Sequence, residues 1–484
     1  MQKGLPLRLF NLSKRTIHPN ERPLSVRIRK ADIRSRVKGD LRVEFSGTGL
    51  TSYAGLELLI RYFRATGFNR LVRGHLSELG LRSDAGLVGM VRLLLGLLVV
   101  GGRRVSHVDY LRGDPLVSRF CGLRRLPSGR TLGRWLSQFT ESMVNQLRVL
   151  NAEVVSRVLR CLPVRTLTLD VDGTVISTGQ TVERAFRGFN PHHRKVPSYY
   201  PITACLAETG HILRVKNRSG NVHDGHASLT FLGDLFRQVR DTLGSGFRLR
   251  FRMDGAFFND AVLRLLEGRG ACYAIKIPFW RWLDLQGKIR DRRRWRRVAF
   301  GIAAFEERLH LAPWDRTLRV VIYRKRVHHR SIKNYQLDLF DPADGYFEYS
   351  AVATNLSYDP RRLWYFMCGR GTHEKTIGEL ESGLAFDSIP SRHYGANSAW
   401  QQLVVLAHNL LTNFQIETGA RLRSRSRKHT AMYLLRTVQT LRFKLFCRAG
   451  EVVRPNGTTV LRLQKNSEAQ NLFLQVTHAL RKAA

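Results

Sequence analysis

Two aspartates set inside an apolar stretch are the residues of this chain best placed to do chemistry. Residues 166–176 read TLTLDVDGTVI, a pattern typical of a buried strand, with Asp170 and Asp172 within it. Strand side chains alternate between the two faces of a sheet, so both carboxylates point to the same face. A carboxylate in an apolar strand is costly unless a metal ion, a hydrogen bond or a positive charge meets it. The pair therefore predicts a bound divalent cation or a phosphoryl site.

Two further acids follow at the ends of predicted elements. Asp254 ends a strand predicted over 248–253, and Glu374 lies early in a helix predicted over 371–384. Acids from two strands and a helix can converge on two Mg²⁺ ions, which activate a water or 3′-hydroxyl and stabilise the leaving oxygen. Mn²⁺ is expected to substitute, because it also accepts octahedral oxygen ligation.

The charge of the chain indicates its partner. The 484 residues include 80 Lys and Arg against 38 Asp and Glu, a formal net charge of +42. A charge this far from zero repels itself and favours a polyanionic partner. Arginine supplies most of the excess and suits bidentate phosphate contacts, so double-stranded DNA is the expected partner and a membrane surface the weaker alternative.

Cysteine usage and hydropathy indicate the compartment. The six cysteines are scattered without a Cys-x-x-Cys pair, which argues against a zinc module or a disulfide framework and fits a reducing compartment. The most apolar run, 87–100, is short and interrupted by Arg92, so a buried helix is expected rather than a membrane span. We therefore expect a cytoplasmic protein with no membrane partner.

Periodicity divides the chain into six predicted regions. The fold class is mixed α/β, because three strands, a helix, a strand, a helix and a strand follow residue 166 in the order of an RNase H-like core. The regions are a basic arm (1–48), a helical DNA-binding domain (49–160), the first part of the core (161–277), a β-rich insertion (278–362), the second part of the core (363–420) and a basic C-terminal region for DNA binding or dimerisation (421–484).

Two basic surfaces are candidates for DNA contact. Arg130 and Arg134 lie off the apolar face of a helix predicted after residue 128, although a merely solvated basic face is an equal alternative. Arg293, Arg294, Trp295 and Arg296 form a basic run at the start of the insertion. A tryptophan there, such as Trp295 or the nearby Trp280, Trp282 and Trp314, is expected either to stack on an unpaired base or to fill the core of the insertion.

The chain resembles DDE transposases of bacterial insertion sequences, in the group whose RNase H-like domain is split by a β-strand insertion. The matching segments are LDVDGT (169–174), GFNPHH (188–193), SGNVH (219–223), RMDGAF (252–257), RGTHE (370–374) and AHNL (407–410). The resemblance implies Asp172, Asp254 and Glu374 as the catalytic metal ligands, with Asp170 as a possible extra acid. The family often has Tyr three residues before the Arg and Lys seven after the Glu.

Met367 and Glu381 stand at those two places here, so the resemblance assigns phosphate contact on this helix to Arg370 and Lys375. It further implies a transposase that binds the terminal inverted repeats of its insertion sequence and carries out Mg²⁺-dependent strand cleavage and strand transfer of the cut-and-paste type. Such an enzyme is expected to act as a homodimer in a synaptic complex with transposon ends and target DNA, at the bacterial nucleoid.

Two other interpretations remain open from the sequence. The segment DVDGT also resembles the signature of haloacid dehalogenase-like phosphatases, which would make Asp170 a nucleophile. The remaining alternative is a DNA-binding protein without catalytic activity.

Overall fold

The computed structural model describes residues 31, 34–36, 39–45, 49–188, 195–222, 224–244, 246–327, 347–424 and 429–483. The chain divides into two compact units, Met1–Thr48 and Gly49–Ala484, and the helices and strands named below belong to the second. Most of the predicted GFNPHH segment and a strand predicted over 335–339 lie outside the described residues.

Helices fill the first part of the second unit, as the hydrophobic periodicity predicts. They are α1 (Leu56–Ala65), α2 (Phe68–Leu76), α3 (Gly86–Val100), α4 (Pro115–Cys121), α5 (Gly129–Leu136) and α6 (Glu141–Leu159). Side-chain caps fix several starts: Asp114 accepts from two backbone N–H groups of α4, and Ser128 and Thr140 do the same for one each in α5 and α6.

Helix α3 is apolar on all sides because it is a core helix. Its residues from Gly89 to Val99 are buried, including Arg92. No single helix in the described parts of the chain is long and apolar enough to cross a membrane. Helix α3 reaches the required length and hydropathy only when it is combined with the 3₁₀ helix Val105–Leu111, and the two are bent by 84° relative to each other.

A large mixed sheet forms the centre of the second unit. The strands are β1 (Leu50–Thr51), β2 (Thr166–Gly173), β3 (Ile176–Ser177), β4 (Ser198–Tyr199), β5 (Ile202–Leu206), β6 (Ile212–Lys216), β7 (Arg248–Met253), β8 (Cys272–Ile277), β9 (Arg296–Ala299), β10 (Ile302–Leu311), β11 (Arg316–Arg326), β12 (Phe347–Thr354), β13 (Arg421–Leu422), β14 (Tyr433–Leu434), β15 (Gly450–Val453) and β16 (Val460–Leu463). Nine of them form one sheet in the order β6-β5-β2-β7-β8-β12-β11-β10-β9. Strands β6, β5 and β2 are antiparallel neighbours, and β2, β7 and β8 are parallel neighbours.

The predicted β-rich insertion extends this sheet. Strand β12 pairs antiparallel with β8, and β11, β10 and β9 follow outward as antiparallel neighbours. The apolar side chains of both regions pack together, since Leu169 and Phe251 share a buried cluster with Leu309 and Val320. The proposed boundary at residue 278 therefore lies within a continuous sheet and a shared core.

The later helices cover the sheet and join the two halves of the unit. They are α7 (Asp224–Leu243), α8 (Asp260–Gly268), α9 (Leu285–Asp291), α10 (Pro360–Cys368), α11 (Gly371–Leu384), α12 (Tyr394–Glu417), α13 (Val438–Leu441) and α14 (Ser467–Ala483). Helix α12 packs against α6 and α3, in one buried cluster with residues of α1 to α6. The core of the helical region is thus completed by residues from the C-terminal third of the chain.

Candidate active site

The two faces of β2 are different in character, and this difference creates the site. Leu167, Leu169 and Val171 pack into the apolar cluster beneath the sheet. The alternate residues of the strand, which include Asp170 and Asp172, face the other way. Asp170 and Asp172 therefore lie at consecutive positions on that opposite face of the sheet, as the sequence pattern predicts.

Asp170 is fully buried and bound by a single partner. It lies beside Arg252 in the parallel pairing of β2 with β7. Nε and Nη2 of Arg252 donate to Oδ1 and Oδ2 of Asp170, each at 2.6 Å, and neither side chain has exposed surface. Burial raises the pKa of Asp170, and the charge and hydrogen bonds of Arg252 oppose that rise. Both carboxylate oxygens of Asp170 therefore accept from Arg252, and the side chain has no exposed surface.

Arg370 brings Asp172 and Asp254 together. Its Nη2 donates to Oδ2 of Asp172 and lies 3.6 Å from Oδ2 of Asp254. Each acid also accepts a hydrogen bond from a backbone N–H close to it in the chain. Oδ1 of Asp172 accepts from the N–H of Gly173, and Oδ1 of Asp254 accepts from the N–H of Ala256, both at 3.0 Å. Two carboxylates from neighbouring parallel strands thus converge on one cation.

The electrostatics of Arg370 report a strongly negative site. Burial alone would lower the pKa of Arg370, but Asp172, Asp254, Glu374 and Asp170 together raise it above its ordinary value. Its side chain is only 10% exposed, whereas those of Asp172 and Asp254 are 20% and 33% exposed. Both carboxylates are therefore more exposed than the arginine, and an ion or a phosphate can reach them from solvent.

Glu374 helps to raise the pKa of Arg370, but it is not one of the two carboxylates that meet at that arginine. It lies in the first turn of α11 with its side chain exposed, as is Lys375 beside it. No group of three or more His, Cys, Asp or Glu side chains in the described residues is arranged to hold a metal ion. The structure therefore joins two of the three predicted acids and leaves the third one helical turn from Arg370.

His373 and Glu381 complete the surroundings of the site on α11. Nε2 of the buried His373 is 3.0 Å from Oγ1 of Thr203, on the strand next to β2. Oγ1 of Thr174 donates to Glu381 at 3.1 Å, and burial raises the pKa of that glutamate. Helix α11 is thus fixed to the sheet on both sides of Glu374.

Two buried histidines give the folded protein a pH dependence. Burial lowers the pKa of His373 and His211 from 6.5 to about 3. Because the folded pKa lies below the unfolded one, each contributes stability above pH 6.5 that is lost as pH falls. We expect a loss of about 1.4 kcal/mol per pH unit per histidine between pH 6.5 and 4. Between pH 6.5 and 4, the thermal midpoint of His211→Gln should fall less than that of the wild type. An equal fall would show that burial of His211 does not contribute to the pH dependence of stability.

The predicted DNA-contacting arginines lie mainly on exposed surface. Arg130 and Arg134 are exposed on α5, whose Leu132, Trp135 and Leu136 are buried. Arg293, Arg294 and Arg296 are exposed at and before β9, the edge strand of the sheet. Arg370 differs from these, because it is buried against Asp172 and Asp254.

Trp295 packs onto the protein. Its ring lies 4.8 Å from that of Phe305 and 5.9 Å from that of Tyr349, and the guanidinium of Arg324 covers it at 4.6 Å. Its Nε1 donates to the carbonyl oxygen of Arg292 at 3.2 Å. The structure thus favours the core-filling alternative for this residue.

A different pair of tryptophans is exposed near Asp254. The rings of Trp280 and Trp282 are stacked 5.7 Å apart, and the two residues are 38% and 44% exposed. Phe258, four residues after Asp254, lies 5.8 Å from Trp280 and 5.0 Å from Trp314. This aromatic cluster therefore begins one short turn after the second acid.

Arg252 and His373 are the site residues that the sequence analysis did not single out. Arg252 carries a visible signal, because Arg248, Arg250 and Arg252 alternate along one face of a strand that is otherwise apolar. Positive charges at that spacing beside a strand with two aspartates indicate cross-strand ion pairs. His373 lies inside the quoted RGTHE segment, but nothing in the sequence indicates that it is buried.

Comparison with known proteins places the chain in a family. The family model described as Transposase DDE domain group 1 matches residues 34–484. No curated protein matches the chain. Among solved structures it is similar to the piggyBac transposase in a synaptic complex with hairpin DNA, at 12% identity and a TM-score of 0.38, over 90% of this chain and 88% of that one. Because the family match spans nearly the whole chain, this protein belongs to the DDE transposases, DNA-cleaving enzymes that generally use divalent metal ions.

Proposed function

We propose that this protein binds the terminal inverted repeats of an insertion sequence and catalyses cut-and-paste transposition with Asp172, Asp254 and Glu374. The observation that carries the proposal is the convergence of Asp172 and Asp254 on Arg370, with Glu374 one turn further along α11. Asp170 has a structural role in this proposal, which leaves the phosphatase alternative without its nucleophile.

The donor types at the site fit Mg²⁺. Hard divalent cations take carboxylate oxygens, and Asp172 and Asp254 offer partly exposed ones beside a single positive group. These two residues would hold the ion, and rotation of the exposed Glu374 side chain would add the third carboxylate. When bound, the ion supplies activation of the attacking hydroxyl and stabilisation of the leaving oxygen. Arg370 keeps the two carboxylates together, and Lys375 lies exposed for phosphate contact.

An RNase H-like core is part of the proposal. The strand order β6-β5-β2-β7-β8 supports it, because β6, β5 and β2 are antiparallel neighbours and β2, β7 and β8 are parallel neighbours. We assign DNA binding to residues 49–160 and to the insertion, and dimerisation in a synaptic complex to the whole enzyme. The six cysteines are all free, which supports a reducing, cytoplasmic environment at the bacterial nucleoid.

The direct test uses the DNA that flanks the coding region. Short inverted repeats from that DNA, placed on a linear duplex, should be bound by the purified full chain and cut at their ends in the presence of Mg²⁺ or Mn²⁺. A scrambled repeat of the same composition serves as the control substrate. Equal cleavage of both substrates, or none of either, would contradict the proposal.

The positive charge of the chain predicts a steep salt dependence of duplex binding. Each neutralised phosphate lowers the affinity by about 0.9 log units per log unit of salt. Replacing both Arg130 and Arg134 with Gln should reduce the slope by about 2, because each arginine that contacts a phosphate releases one counterion. The double variant Arg237→Gln, Arg264→Gln, which removes two exposed arginines elsewhere on the surface, is the charge-matched control. Equal slopes for the two variants would exclude α5 from the DNA interface.

The exposed tryptophans are the better candidates for stacking on an unpaired base. Trp282→Ala should weaken binding of an end with unpaired terminal bases by about 1–3 kcal/mol, the contribution of one base–aromatic stack. The thermal midpoint should change little, because Trp282 is 44% exposed. Trp295→Ala should do the opposite, lowering the midpoint through lost packing. Unchanged end binding by Trp282→Ala would remove Trp282 from the interface.

A further inference from the structure

An arginine-lined cavity opens among the first helices of the second unit. Its volume is about 700 Å³, and α1, α2, α3, α4 and α6 contribute to its wall. The described residues that line it include no Asp or Glu. Six of them are arginines: Arg64, Arg70, Arg73, Arg92, Arg119 and Arg157. A concave surface with this composition concentrates positive charge in a small volume.

Arg92 is buried and incompletely paired. It is 8% exposed, and Nη1 makes one long contact of 3.4 Å with Oδ1 of Asn69. Its guanidinium lies over the rings of Phe63 and Phe120, at 5.6 and 5.1 Å. Nε and Nη2 have no hydrogen-bond partner in the described part of the chain. Such donors are costly to bury unless an acceptor meets them.

The electrostatic surroundings of Arg92 do not supply that acceptor. Burial lowers the pKa of Arg92, and the positive charge of Arg64 adds to the lowering. Arg119 and Arg157 are held by Glu57 and Glu417, at 3.1 and 2.6 Å, and neither glutamate lines the cavity. An anion entering the cavity would relieve the repulsion between the arginines and satisfy the open donors.

Arg64, Arg70 and Arg73 are available at the rim. All three are exposed, and none makes a salt bridge to an acid in the described residues. Each can therefore rotate towards a ligand without breaking an ion pair.

The start of α2 adds backbone donors at the same place. The helix of nine residues begins after Gly67, which has φ of 66°, and its first turn has no acidic residue and no side-chain cap. Gly67 and Asn69 both line the cavity. The positive end of the helix dipole favours an anion there.

The cavity is remote from the catalytic acids along the sheet. Arg157 lies near the end of α6, which leads into β2 at Thr166, whereas Asp172 lies near the other end of that strand. Asp172 lies six positions beyond Thr166 along the strand, or roughly 20 Å at about 3.3 Å per residue. An anion in the cavity would therefore not be part of the catalytic centre.

We propose that this cavity binds a small anion with two or more phosphate groups, with a phosphate on Arg92. The volume lies in the range of small-ligand sites, about 300–1,000 Å³. A DNA duplex presents its phosphates on a convex surface and suits the exposed arginines, whereas Arg92 lies below that level. The inference goes beyond the proposed function and does not depend on it.

The test uses inorganic triphosphate as the probe and the full chain as the protein. We expect calorimetry to show one binding site and thermal unfolding to show a rise in the midpoint, because the ligand binds the folded state. Arg92→Met should weaken triphosphate binding by about tenfold or more through loss of charge-assisted hydrogen bonds. Without ligand, this variant should unfold at the same temperature as the wild type or higher, because it removes a buried, unpaired charge.

A second cavity variant and a measurement of duplex affinity test the proposal independently. The double variant Arg70→Gln, Arg73→Gln changes only exposed residues and should also weaken triphosphate binding, whereas Arg264→Gln should not. Affinity for a labelled duplex should be the same for wild type and Arg92→Met. Absence of triphosphate binding by the wild type, or unchanged binding by both cavity variants, would overturn the proposal. Loss of duplex affinity in Arg92→Met would overturn it as well and assign the cavity to the DNA backbone.

Discussion

Replacing any one of Asp172, Asp254 or Glu374 with its amide should abolish strand cleavage while leaving DNA binding nearly intact. An amide keeps the shape of the side chain but removes the negative charge and one oxygen ligand. A bound divalent ion contributes several kcal/mol of charge stabilisation, so we expect a loss of roughly 10²–10³-fold or more. DNA binding should persist because it depends on arginines and lysines elsewhere. Cleavage of a labelled transposon end and duplex binding by the same preparations would measure both quantities.

The three substitutions should differ in their effect on the stability of the metal-free protein. Asp172 and Asp254 already share Arg370, so removing either charge leaves that arginine with one fewer partner. Glu374 is exposed, and its substitution should not change the thermal midpoint without metal. Glu379→Gln, on the same helix, is the matched control for loss of a carboxylate, and its thermal midpoint is measured alongside because Glu379 accepts from the N–H of Val438. Full cleavage by Glu374→Gln would eliminate the three-acid site.

Asp170→Asn should act on stability, in contrast to Asp172→Asn. The substitution leaves the Arg252 guanidinium buried beside a neutral amide, and breaking such a pair costs about 3–5 kcal/mol. We therefore expect a large fall in the thermal midpoint and loss of soluble protein. Arg252 has a further bond to lose, because its Nη1 donates to the carbonyl oxygen of Phe366 at 2.7 Å, in the helix that precedes α11.

A double variant separates the structural role of Asp170 from a catalytic one. Asp170→Asn combined with Arg252→Gln removes both charges and should be less destabilised than the sum of the single changes, because the partners interact directly. If this double variant folds and still cuts DNA, Asp170 is not a metal ligand. If it folds but lacks cleavage while Asp172→Asn retains it, the assignment of the first acid must be exchanged.

Gly369 shows why the Arg252 pair is inseparable from the position of α11. A Cβ atom at Gly369 would lie 2.1 Å from Nη1 of Arg252, so any larger residue there would force the guanidinium to shift. Because Arg252 is held by Asp170 and by the carbonyl oxygen of Phe366, such a shift would disturb the packing at the start of α11.

Much of this molecule is readable from the sequence. The alternation in TLTLDVDG predicts a strand with both acids on one face, and the observed β2 has apolar Leu167 and Leu169 in the core with Asp170 and Asp172 opposite. The family inferred from segments such as LDVDGT and RGTHE is confirmed by the match over residues 34–484. The segment Pro-Asn-Gly at 455–457 is typical of a hairpin turn, and the structure has it between the antiparallel strands β15 and β16. Local periodicity and turn chemistry depend on neighbours in the chain, so sequence alone determines them.

One local prediction is confirmed only in part, for a tertiary reason. The sequence predicts a helix near residues 430–447, whereas the structure has β14 at Tyr433–Leu434 and is helical only over α13 and the π-helical turn at Arg442–Phe446. Strand β14 pairs with β13, and Arg442 donates to the carbonyl oxygens of Leu98 and Val99 at the end of α3. Contacts with distant residues therefore override the intrinsic helical preference of this segment.

Sequence by itself determined the strand with its two acids, the excess of arginine and the family. Only the tertiary structure decided that Asp170 is fully buried against Arg252 while Asp172 is partly exposed beside Arg370, because that depends on the register that places Arg252 beside Asp170. It also decided that Trp295 is packed while Trp282 is exposed, and that Arg92 lines a cavity. Burial and pairing are properties of residues far apart in the chain, and a linear pattern does not contain those distances.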